Sequence, residues 1–186
     1  MHQAALDHES QALVIAIRER AENLFQTKKL LCSEAILVSL NQGLGGGLTE
    51  DQAIALASGF TIGLGESGCL CGAVSGGVMA LGLLLGKDRT YARRKEIREA
   101  AAELHNRFKE LHRSTCCRVL TKSVKDDSKA HFQQCTELTG EGAEIAARMI
   151  LERRPELAAQ ANREFLNRRD NQLAAGVSRI ARRILG

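Results

Sequence analysis

Apolar positions recur at helical spacing along most of the chain. Leu13, Ile17, Ala21, Leu24 and Phe25 share one face of residues 9–26, with Arg18, Glu19, Arg20 and Glu22 among the polar positions, which predicts an amphipathic opening helix. A second helix is predicted from Cys32 to about Asn41 through Ala35, Ile36, Val38 and Leu40. Ser33 and Glu34 suit its first turn, and the GLGGG run at 43–47 stops it. Thr49-Glu50-Asp51-Gln52 reads as a capping box for a third helix reaching about Gly63. After a loop ending near Cys71, residues 72–85 are all apolar or small and predict a fourth helix. Thr90 to His112 carries Ile97, Ala101, Leu104, Phe108 and Leu111 on one face and charge elsewhere. Ser114 and Thr115 can cap a short helix holding Cys116 and Cys117. A helix follows over about 130–153, although Gly140 and Gly142 weaken its first half. Pro155 suits the first turn of a last helix reaching Leu185.

No repeat or clear boundary interrupts this order. The expected division is a cysteine-containing helical domain over 1–153 and an Arg-rich helix over 154–186, packed on the domain or on a second subunit. Composition agrees with an all-α class: aromatics are 3% of the 186 residues, with no Trp and one Tyr, so helices must pack through aliphatic and small side chains. The expected architecture is one bundle of about six to eight helices, with a buried glycine-rich central helix and a long basic C-terminal one.

The uncharged stretch 67–86 has the length of a membrane span, but it holds six Gly together with two Ser and two Cys, and no interfacial aromatic. A central helix buried by its neighbours fits it better. Gly68, Gly72 and Gly76 fall four apart, so in a helix they share a face that admits another backbone closely. In a loop, Gly68 would instead shape a turn and Gly72 free the first helical turn.

The net charge of +4 is concentrated at one end, where residues 152–186 hold eight Arg against four acids. Arg179, Arg182 and Arg183 alternate there with Val177, Ile180, Ile184 and Leu185, an amphipathic repeat that invites a membrane-surface or nucleic-acid reading. The dearth of stacking aromatics and of any recognition motif argues against nucleic acid. Docking on its own domain, or homodimerisation through this helix, is the expectation.

Six cysteines are too few for a disulfide-stapled secreted domain, and MHQAALDHES lacks a basic stretch followed by an apolar core. A reducing cytoplasm is therefore expected, where grouped cysteines serve redox or metal chemistry more often than structure. Cys32, Cys71 and Cys117 each stand at a predicted helix start, where free amides and the helix dipole favour thiolate. Cys135 is less well placed by this logic. The plain alternative is that cysteines pack as small hydrophobes. No CxxC pair and no CxxCH haem-attachment sequence occurs, so covalent haem is not expected. His105 and His112 read as surface histidines, whereas His131, one turn before Cys135, is a secondary candidate to activate a thiolate or complete a metal site.

Cys71-Gly72-Ala73-Val74-Ser75-Gly76 resembles the CGAxxG motif of the C_GCAxxG_C_C family of redox-active proteins, whose members share four cysteines in a small helical domain. By this resemblance, Cys32 is similar to the first family cysteine, Cys71 to the motif cysteine, Cys117 to the third and Cys135 to the fourth, over roughly residues 20–152. The chain departs from the pattern in the Cys69-Leu70 that precedes the motif, in the extra Cys116 and in the Arg-rich extension. The resemblance implies an oxidoreductase or electron carrier working with a redox partner protein or a small thiol or disulfide. Two mechanisms compete. Either a thiolate such as Cys71 attacks a disulfide and a second cysteine resolves it, or Cys32, Cys71, Cys117 and Cys135 converge on an iron–sulfur cluster or zinc.

Overall fold

A computed structural model describes residues 6–86 and 91–171. The helices are α1 (His8–Gln26), α2 (Cys32–Leu44), α3 (Glu50–Ala57), the single turn α4 (Thr61–Gly65), α5 (Gly72–Leu85), α6 (Tyr91–His112), α7 (Cys117–Leu120), α8 (Ser128–Arg153) and α9 (Arg163–Asn167). Three 3-10 segments, Ser58–Phe60, Lys122–Val124 and Pro155–Gln160, complete the order, and no strand occurs among the described residues. The class is all-α, as the apolar periodicity predicts.

Local signals set most helix ends. Asp7 accepts from the Ser10 amide at 2.7 Å to start α1, and Thr49 and Gln52 exchange reciprocal bonds of 3.2 and 3.0 Å at the start of α3. Gly45, at φ 70°, ends α2 in the left-handed conformation that glycine adopts without strain.

The core forms where α5 packs between α2 and α8, with α1 laid across α8 and α2. α5 is buried over most of its length, and residues such as Ala73, Ala80, Leu81 and Leu84 have no exposed surface. Two glycines make these crossings possible. A Cβ on Gly76 would lie 2.9 Å from the Ser33 carbonyl oxygen of α2, and one on Gly142 of α8 would lie 2.7 Å from the Ala73 carbonyl oxygen of α5. Both obstructions are backbone, so they cannot rotate away. Gly142 thus holds a contact in the stretch where glycines count against a helix.

Gly76→Ala and Gly142→Ala are each expected to lower stability in urea by about 1–3 kcal/mol, the overpacking penalty exceeding a gain of about 1 kcal/mol in helix propensity. Gly82→Ala on the same α5 is the control. Its Cβ meets nothing within 4 Å, so only the propensity gain remains.

Residues 67–86 divide into a loop and the 14-residue α5, and among the described residues no helix is long and apolar enough to cross a membrane. Gly68 belongs to the loop, with φ 90°, so only Gly72 and Gly76 of the expected stripe lie on a helix.

The continuous helix expected from Pro155 does not form over the described residues. A 3-10 segment, the five-residue α9 and chain without regular structure at 168–171 take its place. Docking on the domain overrides helix propensity here: the Asn162 amide donates to the Gly43 carbonyl at 2.9 Å, and Leu157 and Leu166 are buried. Arg20 of α1, fully buried, closes the contact. Its guanidinium donates to Asp170 at 2.8 Å, to the Arg168 carbonyl at 3.0 Å and to Asn23 at 2.9 Å, and lies 4.7 Å from the Phe165 ring centroid. The amphipathic repeat from Val177 onward, the N-terminal five residues and the helix start at Thr90 lie outside the described residues.

Candidate functional site

Two segments, the loop 67–71 and the stretch 114–118 that leads into α7, run antiparallel and are joined by backbone bonds. The Cys71 amide donates to the Thr115 carbonyl and the Arg118 amide to the Gly68 carbonyl, both at 2.9 Å. Arg118 also reaches back through its guanidinium to the Ser67 carbonyl at 2.8 Å. This pairing sets Cys71, the N-cap of α5, against Cys117, the first residue of α7. It also sets Cys69 against Cys116.

Cys32 enters from the first residue of α2. A Cβ on Gly72 would lie 2.2 Å from the Cys32 sulfur, so the motif glycine leaves the room that this thiol occupies beside the start of α5. Cys135 enters from α8, one turn after His131. All four family-like cysteines and His131 line one cavity of about 260 Å³, whose apolar wall includes Phe25, Leu31, Ile62, Phe132 and Leu138. The Phe25 and Phe132 rings stack at 5.2 Å between centroids. Cys69, exposed, and Cys116, half-buried, do not line this cavity. His105 contacts Thr115 at 3.2 Å and His112 contacts Glu141 at 3.0 Å, both away from the cavity.

The third helix does not continue to Gly63. After the 3-10 segment, Ile62, Gly63, Leu64, Gly65 and Glu66 all take positive φ, between 52° and 68°. A left-handed turn costs a non-glycine residue about 1–2 kcal/mol, and this one brings Ile62 into the cavity wall. Gly63 sits against Cys117, where a Cβ would come within 2.7 Å of the Cys117 Cβ. Residue types at 62–66 disfavour this backbone. Only the alternating glycines at 63 and 65 hint at it, and the aromatic pair carries no motif at all.

The thiols differ sharply in acidity. Cys71 donates its S–H to the Cys117 sulfur and is buried, and both effects keep its proton on far above the ordinary thiol range. The same hydrogen bond lowers Cys117 to about 7, against the opposing effect of burial. Burial raises Cys32. Burial also takes Cys135 up to about 12, aided by the charges of Cys117 and Cys32. In the outer pair, Cys69 donates to Cys116, which raises the first and lowers the second. Cys32, Cys71 and Cys117 do stand at helix starts, yet burial raises Cys32, and the hydrogen bond to Cys117 together with burial raises Cys71. Within the inner pair the thiolate belongs on Cys117 rather than Cys71.

Four thiols around one cavity also raise the cluster or zinc alternative. Among the described residues, however, no three or more His, Cys, Asp or Glu are arranged to hold one ion. A tetrahedral site needs four ligands at about 2.3 Å from a common centre. The inner thiols instead interact as a Cys71–Cys117 pair.

No curated protein and no solved structure matches the chain. A family model described as "Putative redox-active protein (C_GCAxxG_C_C)" matches residues 30–149, the span that carries all four cavity cysteines. Cys32, the CGAVSG motif at 71–76, Cys117 and Cys135 occur in the family's order within that span, and the chain belongs to the C_GCAxxG_C_C family of redox-active proteins.

Proposed function

We propose that the protein is a thiol–disulfide oxidoreductase that reduces or forms a disulfide in the apolar cavity, with Cys117 attacking and Cys71 resolving. The observation that carries this reading is the Cys71–Cys117 pair itself, one sulfur acidic and the other holding the proton, at the wall of a cavity.

In the reductive direction the Cys117 thiolate attacks one sulfur of a substrate disulfide. That S–S bond breaks, the first substrate thiolate leaves, and Cys117 is held in a mixed disulfide. Cys117 is then neutral and no longer anchors the Cys71 proton. The proton passes to the departing thiolate, and the Cys71 sulfur attacks Cys117 and expels the second substrate thiolate. Two electrons have moved from the dithiol to the substrate, leaving a Cys71–Cys117 disulfide. The apolar wall favours a substrate whose disulfide is flanked by apolar groups.

Thiolate is the reactive form, so a lowered pKa raises reactivity at neutral pH. Alkylation of Cys117 by iodoacetamide is expected to rise with pH to a plateau through a midpoint near 7. Alkylation of Cys135 should stay slow until the pH approaches about 12. Peptide mass spectrometry after timed labelling measures both. Oxidation should then remove two titratable thiols, with Cys71–Cys117 the first disulfide to form. Charge-transfer absorption with stoichiometric iron in anaerobically purified protein would overturn the reading.

A further inference from the structure

We infer that Cys69 and Cys116 form a second, outer dithiol that exchanges disulfides with the Cys71–Cys117 pair and carries electrons between the cavity and a protein dithiol at the surface. This rests on the exchange chemistry proposed for the cavity. Neither residue belongs to the four family-like cysteines, and neither lines the cavity.

The geometry that supports it is the pairing of segments 67–71 and 114–118. The two backbone bonds bracket both pairs: Cys69 and Cys71 lie on the stretch from Gly68 to Cys71, and Cys116 and Cys117 lie between Thr115 and Arg118 on the facing one. The Cys116 sulfur donates to the Gly68 carbonyl at 3.0 Å, which holds its side chain toward the Cys69 segment. Arg118, anchored on the Ser67 carbonyl, places a positive charge beside both outer thiols. Cys69 also lies close enough to feel the charge of Cys117. The buried Cys71 with the half-buried Cys117, and the exposed Cys69 with the half-buried Cys116, thus share one pair of segments, and Cys69 is the thiol a partner protein can reach.

The exchange balances without any outside reagent. Once the Cys116 thiol has given its proton to water, Cys69 passes its own proton to the Cys116 sulfur and attacks Cys117 of the inner disulfide, forming a Cys69–Cys117 bond and freeing Cys71 as thiolate. Cys116 passes that proton to Cys71 and attacks Cys69, forming the outer disulfide and freeing Cys117 as thiolate. One proton and one negative charge have moved from the outer pair to the inner pair, and the inner dithiol is restored. A protein dithiol then reduces the exposed Cys69–Cys116 disulfide and is itself oxidised to a disulfide.

The test is a time course on fully reduced protein given one equivalent of dipyridyl disulfide, quenched with an alkylating agent and mapped by mass spectrometry. The expected result is a Cys71–Cys117 disulfide that appears first and decays into Cys69–Cys116. In Cys117→Ser, the outer disulfide is expected to be lost from the same time course. If the inner disulfide forms and never passes outward, the relay is overturned and the cavity chemistry stands. Outer oxidation at an unchanged rate in Cys117→Ser would also overturn the relay, because the reagent would then be oxidising that pair directly. If no inner disulfide forms at all, the cavity reading falls and the relay with it.

Discussion

Cys117→Ser is expected to lose disulfide exchange while keeping the fold, since serine fills nearly the same space and its hydroxyl remains protonated at neutral pH. Cys71→Ala is expected to behave differently. Without the Cys71 S–H, only burial acts on Cys117, which should rise from about 7 to at least the ordinary thiol value of about 8.5. At that value its thiolate fraction at pH 7 falls about 16-fold, while the more basic sulfur gains about 5-fold in intrinsic nucleophilicity, so alkylation slows by at least about 3-fold. What Cys71→Ala loses is resolution, and in a Cys69→Ser/Cys116→Ser background, where no outer thiol can attack it, the Cys117 mixed disulfide should accumulate. In that background intact-mass measurement after a small disulfide is added separates the cases: no adduct at the cavity in Cys117→Ser, a trapped adduct on Cys117 in Cys71→Ala. Exchange at the wild-type rate in Cys117→Ser would remove Cys117 from the chemistry.

Arg20→Ala should release the chain after α9 from α1. The Arg20 side chain is 1% exposed and its Asp170 partner 13%. Removing one member of such a pair typically costs about 3–5 kcal/mol. Asp170 regains water once residues 163–171 undock, so the lower figure applies, about 3 kcal/mol or roughly a 150-fold shift of the docking equilibrium. Trypsin cleavage after Arg168 and Arg169 reads this directly, and unchanged cleavage would show that the segment is held by its apolar contacts alone. Asp170→Asn should have a smaller effect, because Arg20 keeps Asn23 and the Arg168 carbonyl as acceptors. Although partial burial pushes the Asp170 carboxyl up, the Arg20 guanidinium pulls it below the ordinary carboxylate value. A lowered folded pKa adds stability that is complete above the unfolded value of about 4 and is lost as pH falls through the folded one. Docking should therefore weaken only in acid.

Much of the bundle can be read from local chemistry. The apolar face of α1, the Thr49–Gln52 box and the glycines after Leu44 act within a few residues, so their consequences are visible in a linear text. The turn at 62–66 is not visible there, because Ile62 and Leu64 disfavour positive φ, and the close neighbours of Gly63 between them, Cys117 and Gly68, are distant in sequence or across a loop. The Ala- and Arg-rich segment after Pro155 has the residues of a helix, and the buried Arg20 on α1 holds it in another form.

The site divides in the same way. Sequence alone singled out the four family-like cysteines, placed three of them at helix starts, and read Gly72 and Gly76 as leaving room for a neighbouring backbone. Only the tertiary structure decided that four of the thiols meet at one cavity and that the segments carrying Cys69 and Cys71 lie against those carrying Cys116 and Cys117. The physical reason is range. Periodicity, caps and glycine sterics act between near neighbours along the chain, whereas burial and thiol–thiol contact depend on which distant segments are folded against one another.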